Sequence, residues 1–206
     1  MNKNRLEALS DGVFSIVMTL LVFQISVPVF TTTPSNTELL VRLQTLIPLF
    51  VSYFITFAVL TMFWISHNFF YSSLTREINR TLVLLNMIYL SFLTLIPFSA
   101  RLLGEYSTIR TAALLYGLNV LVIGLVSAGV IRYAVYSNEI DTSHISERLL
   151  NQARVRSLLT PICTLIGIIC AYVSVPVALF FFAFPIVFNI VPGSLNFVEN
   201  LFGLTF

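Results

Sequence analysis

Six runs of apolar residues, separated by short polar links, constrain the fold of this chain more than any other feature of its sequence. The first run, from Gly12 to Val29, contains no charged residue. Only 10% of the 206 residues are charged, against about 25% in soluble domains. About 20 apolar residues cross a bilayer as a helix, because lipid offers the backbone no hydrogen-bond partners. We therefore predict an all-α integral membrane protein that crosses the lipid bilayer with six transmembrane helices.

The polar links set the expected boundaries of a single six-helix domain that covers residues 1–206. No small-residue cleavage site follows the first run, so we expect a retained helix rather than a signal peptide. Pro176 separates the last two runs, and the longest polar stretch, Ala134 to Arg156, precedes them. The predicted spans are residues 8–30, 43–71, 81–100, 111–133, 157–175 and 177–192.

Basic residues are distributed unevenly between the two sides that six spans would create. The side that holds both termini carries eight of the eleven Lys and Arg residues, and the other side carries Arg42, Arg101 and Arg110. Cytoplasmic loops of membrane proteins carry an excess of Lys and Arg. We therefore predict a multi-pass protein of the cell membrane with both termini in the cytoplasm.

Several chemistries lack the residues that they need. The sequence contains no Thr-Val-Gly-Tyr-Gly potassium filter, no phosphate-binding glycine loop and no His-Glu-x-x-His zinc motif. A net charge of +2 is too small to indicate nucleic acid binding, and Cys163 and Cys170 are interpreted as buried apolar thiols. Ser10 and Asp11 are neighbours in sequence, which is an awkward geometry for a hydrolytic relay through His67. We predict neither an enzyme nor a resident metal or cofactor.

One face of the first predicted helix is less apolar than its flanks. By the 3.6-residue period, this face carries Gly12, Ile16, Thr19, Phe23 and Ser26. Large apolar groups alternate there with small or hydroxyl groups, which suits a narrow water path with dry constrictions at Ile16 and Phe23. The same pattern also suits a helix–helix packing face, with a small residue at Gly12 and a back-bonded Thr19. Periodicity alone leaves both interpretations open.

Polar groups cluster where the first span begins and the second span ends. The Asp11 carboxylate needs a partner or water there, because a charge facing lipid is costly. Antiparallel neighbours would bring it close to His67. The predicted interhelical network consists of Arg5, Ser10, Asp11, Trp64, His67 and Asn68. Two alternatives stay open: the aromatic residues anchor this helix end at the interface, or Asp11 and His67 relay protons in a proton-coupled secondary transporter.

The first-helix residues resemble the opening signature of a known family. Arg5-x-x-x-Leu9-Ser10-Asp11 is similar to the Arg-x-x-x-Phe-Ser-Asp motif of the lysosomal potassium channel (transmembrane protein 175) family. Leu9 stands where that signature has Phe, so an apolar side chain is retained but its shape is not.

Three further stretches resemble the same family. Residues from Ile16 to Phe23 are similar to its pore-lining segment, and Trp64-x-x-His67-Asn68 is similar to its second-helix motif. Leu95-Ile-Pro97-Phe98 resembles the end of its third helix. Phe23 stands where bacterial relatives usually carry Leu, so a ring of Phe side chains would narrow the path.

The resemblance implies a bacterial homotetramer in which the first helix of each subunit lines a central pore. It implies a leak-like channel that is selective for potassium ions and has no carbonyl filter. Ile16 would be the main constriction, Thr19 the hydroxyl layer and Phe23 the next apolar layer, with Gly12 and Ser26 also lining the path. The polar network would then tie helices and subunits together.

Overall fold

Helices form the regular secondary structure of the computed structural model, which describes residues 2–75, 78–137, 140 and 145–190. In chain order they are α1 (Lys3–Leu20), α2 (Asn36–Gln44), α3 (Ile47–Phe69), α4 (Arg80–Leu93), α5 (Ile96–Glu105), α6 (Arg110–Tyr136), α7 (Glu147–Cys170) and α8 (Val175–Ile190). Within this described part, five segments are long and apolar enough to cross a membrane: Lys3–Gln24, Ile47–Ser72, Arg80–Glu105, Arg110–Tyr136 and Glu147–Cys170. Val175–Asn189 is a shorter apolar helix. The predicted all-α membrane fold is confirmed.

The first span changes its helical form before it ends. After α1 the chain continues as a 3₁₀ turn over Leu21–Gln24, and Ile25 is extended, with φ −94° and ψ 95°. Pro28 follows three residues later, and it disfavours helical backbone at Val27, the residue before it. Ser26 lies beyond the turn, so helical periodicity does not carry the predicted polar face as far as that residue.

The third span consists of two helices rather than one. Pro97 is at the start of α5 and cannot donate a hydrogen bond to the carbonyl one turn earlier, so the helix breaks between α4 and α5. Asn119 of α6 bridges the break. With its amide oriented to satisfy both sides, it donates to the Phe92 carbonyl at 3.1 Å and accepts from the Ile96 N–H at 3.2 Å. The break therefore leaves these backbone groups paired inside the bundle.

The fifth span begins much earlier than its apolar run. α7 starts at Glu147, where the Ser146 side chain caps it by accepting from the Leu149 N–H at 3.4 Å. The first turns are polar, so a search for apolar residues does not detect them as helix. The last residues of the predicted sixth span, 191 and 192, lie outside the described residues, as does Arg76, which entered the prediction of orientation.

Most helices pack into one body, which α1 joins along one side. α6 packs along α7, α7 packs against α8, and α3 contacts α5 and α8. Gly117 and Gly167 permit a close approach, because a Cβ on either would lie 2.6 Å from the ring of Phe182. α1 contacts α3, α4 and α5, and its buried Phe14 belongs to the central apolar core.

The short helix α2 differs from the packed helices, because none of its residues is buried. It begins with a capping box in which the Ser35 hydroxyl accepts from the Glu38 N–H, and the Glu38 carboxylate accepts from the Ser35 N–H at 2.7 Å. The Ser35 backbone and hydroxyl donors hold the pKa of Glu38 below its ordinary value. Local capping therefore supports α2 where packing does not.

Candidate functional site

The two faces of α1 have different surroundings. One face, formed by Leu6, Ser10, Phe14 and Val17, is buried in the subunit. The opposite face carries Gly12, Ile16 and Thr19, and Phe23 lies in the 3₁₀ turn that follows α1. All four of these predicted pore residues are exposed. Ile16 is 60% exposed and Phe23 is 74% exposed, whereas Phe14 is 1% exposed. The helix is therefore attached along one side only.

A chain of hydrogen bonds joins the buried face of α1 to α3 and α4. His67 of α3 lies 2.8 Å from Oδ1 of Asn86 in α4, Nδ2 of Asn86 donates to the Ser10 hydroxyl at 3.1 Å, and Ser10 donates to the Leu6 carbonyl at 2.9 Å. Because the Asn86 amide nitrogen donates to Ser10, its oxygen accepts from His67, which places a proton on Nε2 of that ring. One chain of hydrogen bonds thus joins α1, α3 and α4, and we call it the Ser10–Asn86–His67 relay.

Aromatic rings surround the imidazole of His67. Tyr89 stacks on it with ring centroids 5.6 Å apart, and Phe14 meets it edge-on at 5.8 Å. Tyr71, four residues later and just beyond the end of α3, lies 4.6 Å away. These rings shield the relay from water, so its hydrogen bonds are stronger than they would be at the surface.

Asp11 takes part in a separate link. Its Oδ1 accepts from the indole Nε1 of Trp64 at 2.9 Å, which joins α1 to α3 at the surface of the subunit. Arg5 and Asn68 are exposed. Across the described residues, no hydrogen bond or ion pair joins Arg5 to Asp11 or Asp11 to His67. The structure therefore divides the predicted network into an Asp11–Trp64 link and a Ser10–Asn86–His67 relay.

Two buried polar side chains that join helices were not predicted from the sequence. Asn86 is the central member of the relay and is buried, and Gln24 is also buried, with Nε2 donating to the Pro97 carbonyl at 2.7 Å. Gln24 thereby attaches the end of the first span to the start of α5. Each is an isolated amide in an apolar run, and that pattern marks a buried polar contact in membrane helices.

The exposed face of α1 has open space at Gly12 and a hydroxyl group at Thr19. A Cβ added at Gly12 would meet no atom within 4 Å. The Thr19 hydroxyl donates to the carbonyls of Ser15 at 3.0 Å and Ile16 at 2.8 Å. Because its proton is directed at the backbone, the oxygen of the exposed Thr19 is left to accept from, or coordinate, a further partner.

Comparison with known proteins identifies relatives along most of the chain. The family model described as endosomal/lysosomal potassium channel TMEM175 matches residues 5–97. A protein of Streptomyces collinus named as a potassium channel is 27% identical over 179 residues, which cover 85% of each chain. A protein of a Chryseobacterium species with the same designation is 29% identical, over 68% of this chain and 66% of its own length.

A vertebrate relative and a solved structure extend this comparison. The zebrafish protein named as the endosomal/lysosomal proton channel TMEM175 is 26% identical over 87% of this chain, which spans 34% of the length of that relative. A crystal structure of a Chamaesiphon minutus homologue, described as a lysosomal potassium-selective channel, superposes with a TM-score of 0.79. It is 25% identical and covers 91% of this chain and 95% of its own. By sequence over residues 5–97 and by fold over most of its length, this chain resembles the TMEM175 family.

Proposed function

We propose that this chain is a potassium-permeable channel that assembles as a homotetramer, with α1 of each subunit lining a central pore. The observation that carries the proposal is the exposed face of α1, which lies opposite a face anchored by the Ser10–Asn86–His67 relay. The potassium channel names of the bacterial relatives support it. The assembly lies in the cell membrane with both termini in the cytoplasm.

The composition of the exposed face suits an ion path better than a lipid contact. Ile16 and Phe23 place large apolar groups on either side of Thr19, and such dry constrictions control permeation by dewetting. The Thr19 hydroxyls offer a ring of oxygen atoms to a cation between the two apolar layers. Gly12 leaves room for water at the mouth of the path. This arrangement replaces a carbonyl filter with side chains.

The alternative of a proton-coupled transporter has less support. It requires Asp11 and His67 to exchange protons, but Asp11 is bonded to Trp64 and His67 is bonded to Asn86. The vertebrate relatives are named proton channels, so proton flux is the observation that distinguishes this second function from the first.

Ion flux into sealed liposomes tests the proposal directly. We expect the purified chain to conduct potassium in preference to sodium, and we expect Ile16→Asn to change both the rate and the preference, because it hydrates the main constriction. Ile162→Asn is the matched control, since Ile162 of α7 is also exposed, at 53%, but lies outside the proposed pore. A pH-sensitive dye in the same liposomes measures proton entry.

The outcomes separate the two functions. Potassium flux that changes in Ile16→Asn and not in Ile162→Asn supports the pore. Proton flux without potassium flux favours the alternative. Equal effects of the two variants, or a subunit of 23.2 kDa that stays monomeric by native mass spectrometry, would rule out a pore lined by α1.

A further inference from the structure

A cavity of about 290 Å³ lies between α3, α6, α7 and α8, apart from the exposed face of α1. Its volume is just below the range of about 300–1,000 Å³ that small-molecule sites occupy. Most of its wall is apolar and includes Met62, Phe63, Phe69, Ile131 and Leu149. A ligand of this cavity therefore needs an apolar part.

Arg156 supplies the charge of the cavity. It lines the wall together with neutral polar groups such as Ser66, Ser127 and Gln152, and no acidic residue of the described part of the chain lines it. Within the described part of the chain, the guanidinium donates one hydrogen bond, to the Asn189 carbonyl at 3.5 Å, and no carboxylate lies within ion-pair distance. A guanidinium has five N–H donors, so most of its binding capacity remains for a ligand.

The neighbouring arginine provides a contrast. Arg154 places its guanidinium over the ring of Tyr136 at 5.0 Å and donates to Asn151 at 2.9 Å, and it does not line the cavity. Protein groups thus hold the Arg154 guanidinium outside the cavity, although its Nε has no hydrogen-bond partner among the described residues. Arg156, two residues later, lines the cavity, and no carboxylate of the described residues pairs with it. An unneutralised cation among membrane helices is costly, which favours an anionic partner.

We propose that this cavity binds an anionic phospholipid, with the phosphate at Arg156 and part of one acyl chain against the apolar wall. Arginine pairs with phosphate through parallel N–H···O bonds. An anionic phospholipid is favoured over a zwitterionic one, because the cation of a zwitterionic head group competes with arginine for the phosphate. Basic pockets between transmembrane helices are known to hold lipid head groups. The proposal requires no assumption about the pore.

Native mass spectrometry of the full chain in detergent tests this site. We expect dioleoylphosphatidylglycerol to bind more tightly than dioleoylphosphatidylcholine, and Arg156→Gln to weaken phosphatidylglycerol binding about tenfold, equivalent to about 1.4 kcal/mol. Arg156→Lys keeps the charge and retains most of the binding. Ser127→Leu fills the cavity and reduces binding without changing charge, so it also tests the site if Arg156→Gln does not fold.

Arg154→Gln is the matched control, and we expect it to leave the preference for phosphatidylglycerol unchanged. Equal binding of the two lipids, or an equal loss in Arg154→Gln and Arg156→Gln, would overturn the proposal. Inorganic phosphate separates the lipid from a simple anion. If phosphate alone raises the unfolding temperature as much as phosphatidylglycerol does, through Arg156, the site is an anion site and the lipid proposal fails.

Discussion

The buried and exposed faces of α1 differ in how they are held. The buried face places Ser10 in a relay that reaches α3 and α4, and Gln24 extends the attachment to α5. The opposite face, from Gly12 to Phe23, is exposed and includes Thr19, whose hydroxyl bonds, among the described residues, only to carbonyls of its own helix. One helix therefore combines a side that is fixed by contacts with its neighbours and a side that is exposed in the described part of the subunit.

This difference shows where specificity arises in a membrane helix. Apolar contacts with neighbouring helices discriminate little against lipid, because lipid tails are equally apolar, so close packing and interhelical hydrogen bonds set the orientation. The relay through Asn86 supplies such bonds on one side of α1. The rotation of the helix about its axis is thereby determined, and with it the set of residues on the other side.

The largest expected loss of stability comes from replacing Phe14, and Phe23, on the opposite side of the first span, provides the comparison. Phe14→Ala should lower the free energy of unfolding by about 3 kcal/mol, because it opens a cavity beside His67 and Tyr89. Phe23→Ala should change stability far less, because Phe23 is exposed. It should raise ion flux, because it removes a large side chain from the proposed pore. Denaturant unfolding of both variants in detergent measures the first effect, and liposome flux measures the second. Equal losses of stability would contradict the contrast between the faces.

A smaller effect is expected from two asparagines. Asn86→Leu removes the centre of the relay and leaves Ser10 and His67 without a shared partner, so we expect a loss of about 2 kcal/mol. Asn68→Leu is the control, since Asn68 is exposed and has no hydrogen bond to a described residue. Thermal unfolding in detergent compares them. If the two variants unfold at the same temperature, the relay does not anchor α1.

A smaller effect again is expected at the end of the first span. Gln24→Leu removes one hydrogen bond, to the Pro97 carbonyl, and should cost about 1 kcal/mol. Gln44→Leu, on the exposed helix α2, should be close to neutral. Hydrogen exchange of the amides that follow Gln24 reports the local effect, which we expect to be faster in Gln24→Leu alone. Unchanged exchange would show that this contact does not hold the end of the span.

The smallest effect concerns α2, where exposure is complete and capping replaces packing. The lowered pKa of Glu38 means that its contribution to capping is present above the ordinary value of 4.5 and is lost as the pH falls through the lowered value. Ser35→Ala should return the Glu38 pKa toward 4.5 and fray α2. A carboxyl NMR titration of the two proteins measures the shift. An unchanged pKa would exclude the capping box as its cause.

Long apolar runs predicted the membrane fold, and the first-helix motif predicted the similarity to the TMEM175 family, because both depend on local sequence. Details that depend on single residues were predicted less well. Pro97 breaks the third span, and the polar first turns of α7 carry no apolar signal, so the helix bounds differ from the predicted spans. The predicted residues Asp11 and His67 both contact neighbouring helices, but they bond to Trp64 and Asn86 rather than to each other.

The sequence by itself determined that this chain is a bundle of membrane helices, since the cost of unpaired backbone in lipid leaves no other fold for such apolar runs. It also determined, through the 3.6-residue period, which residues of α1 share a face. Tertiary structure alone decided which face is buried, because a helix in lipid can rotate at little cost until specific partners hold it. Asn86 and Pro97 supply those partners from distant parts of the chain, and they leave Ile16, Thr19 and Phe23 on the outer side of the subunit.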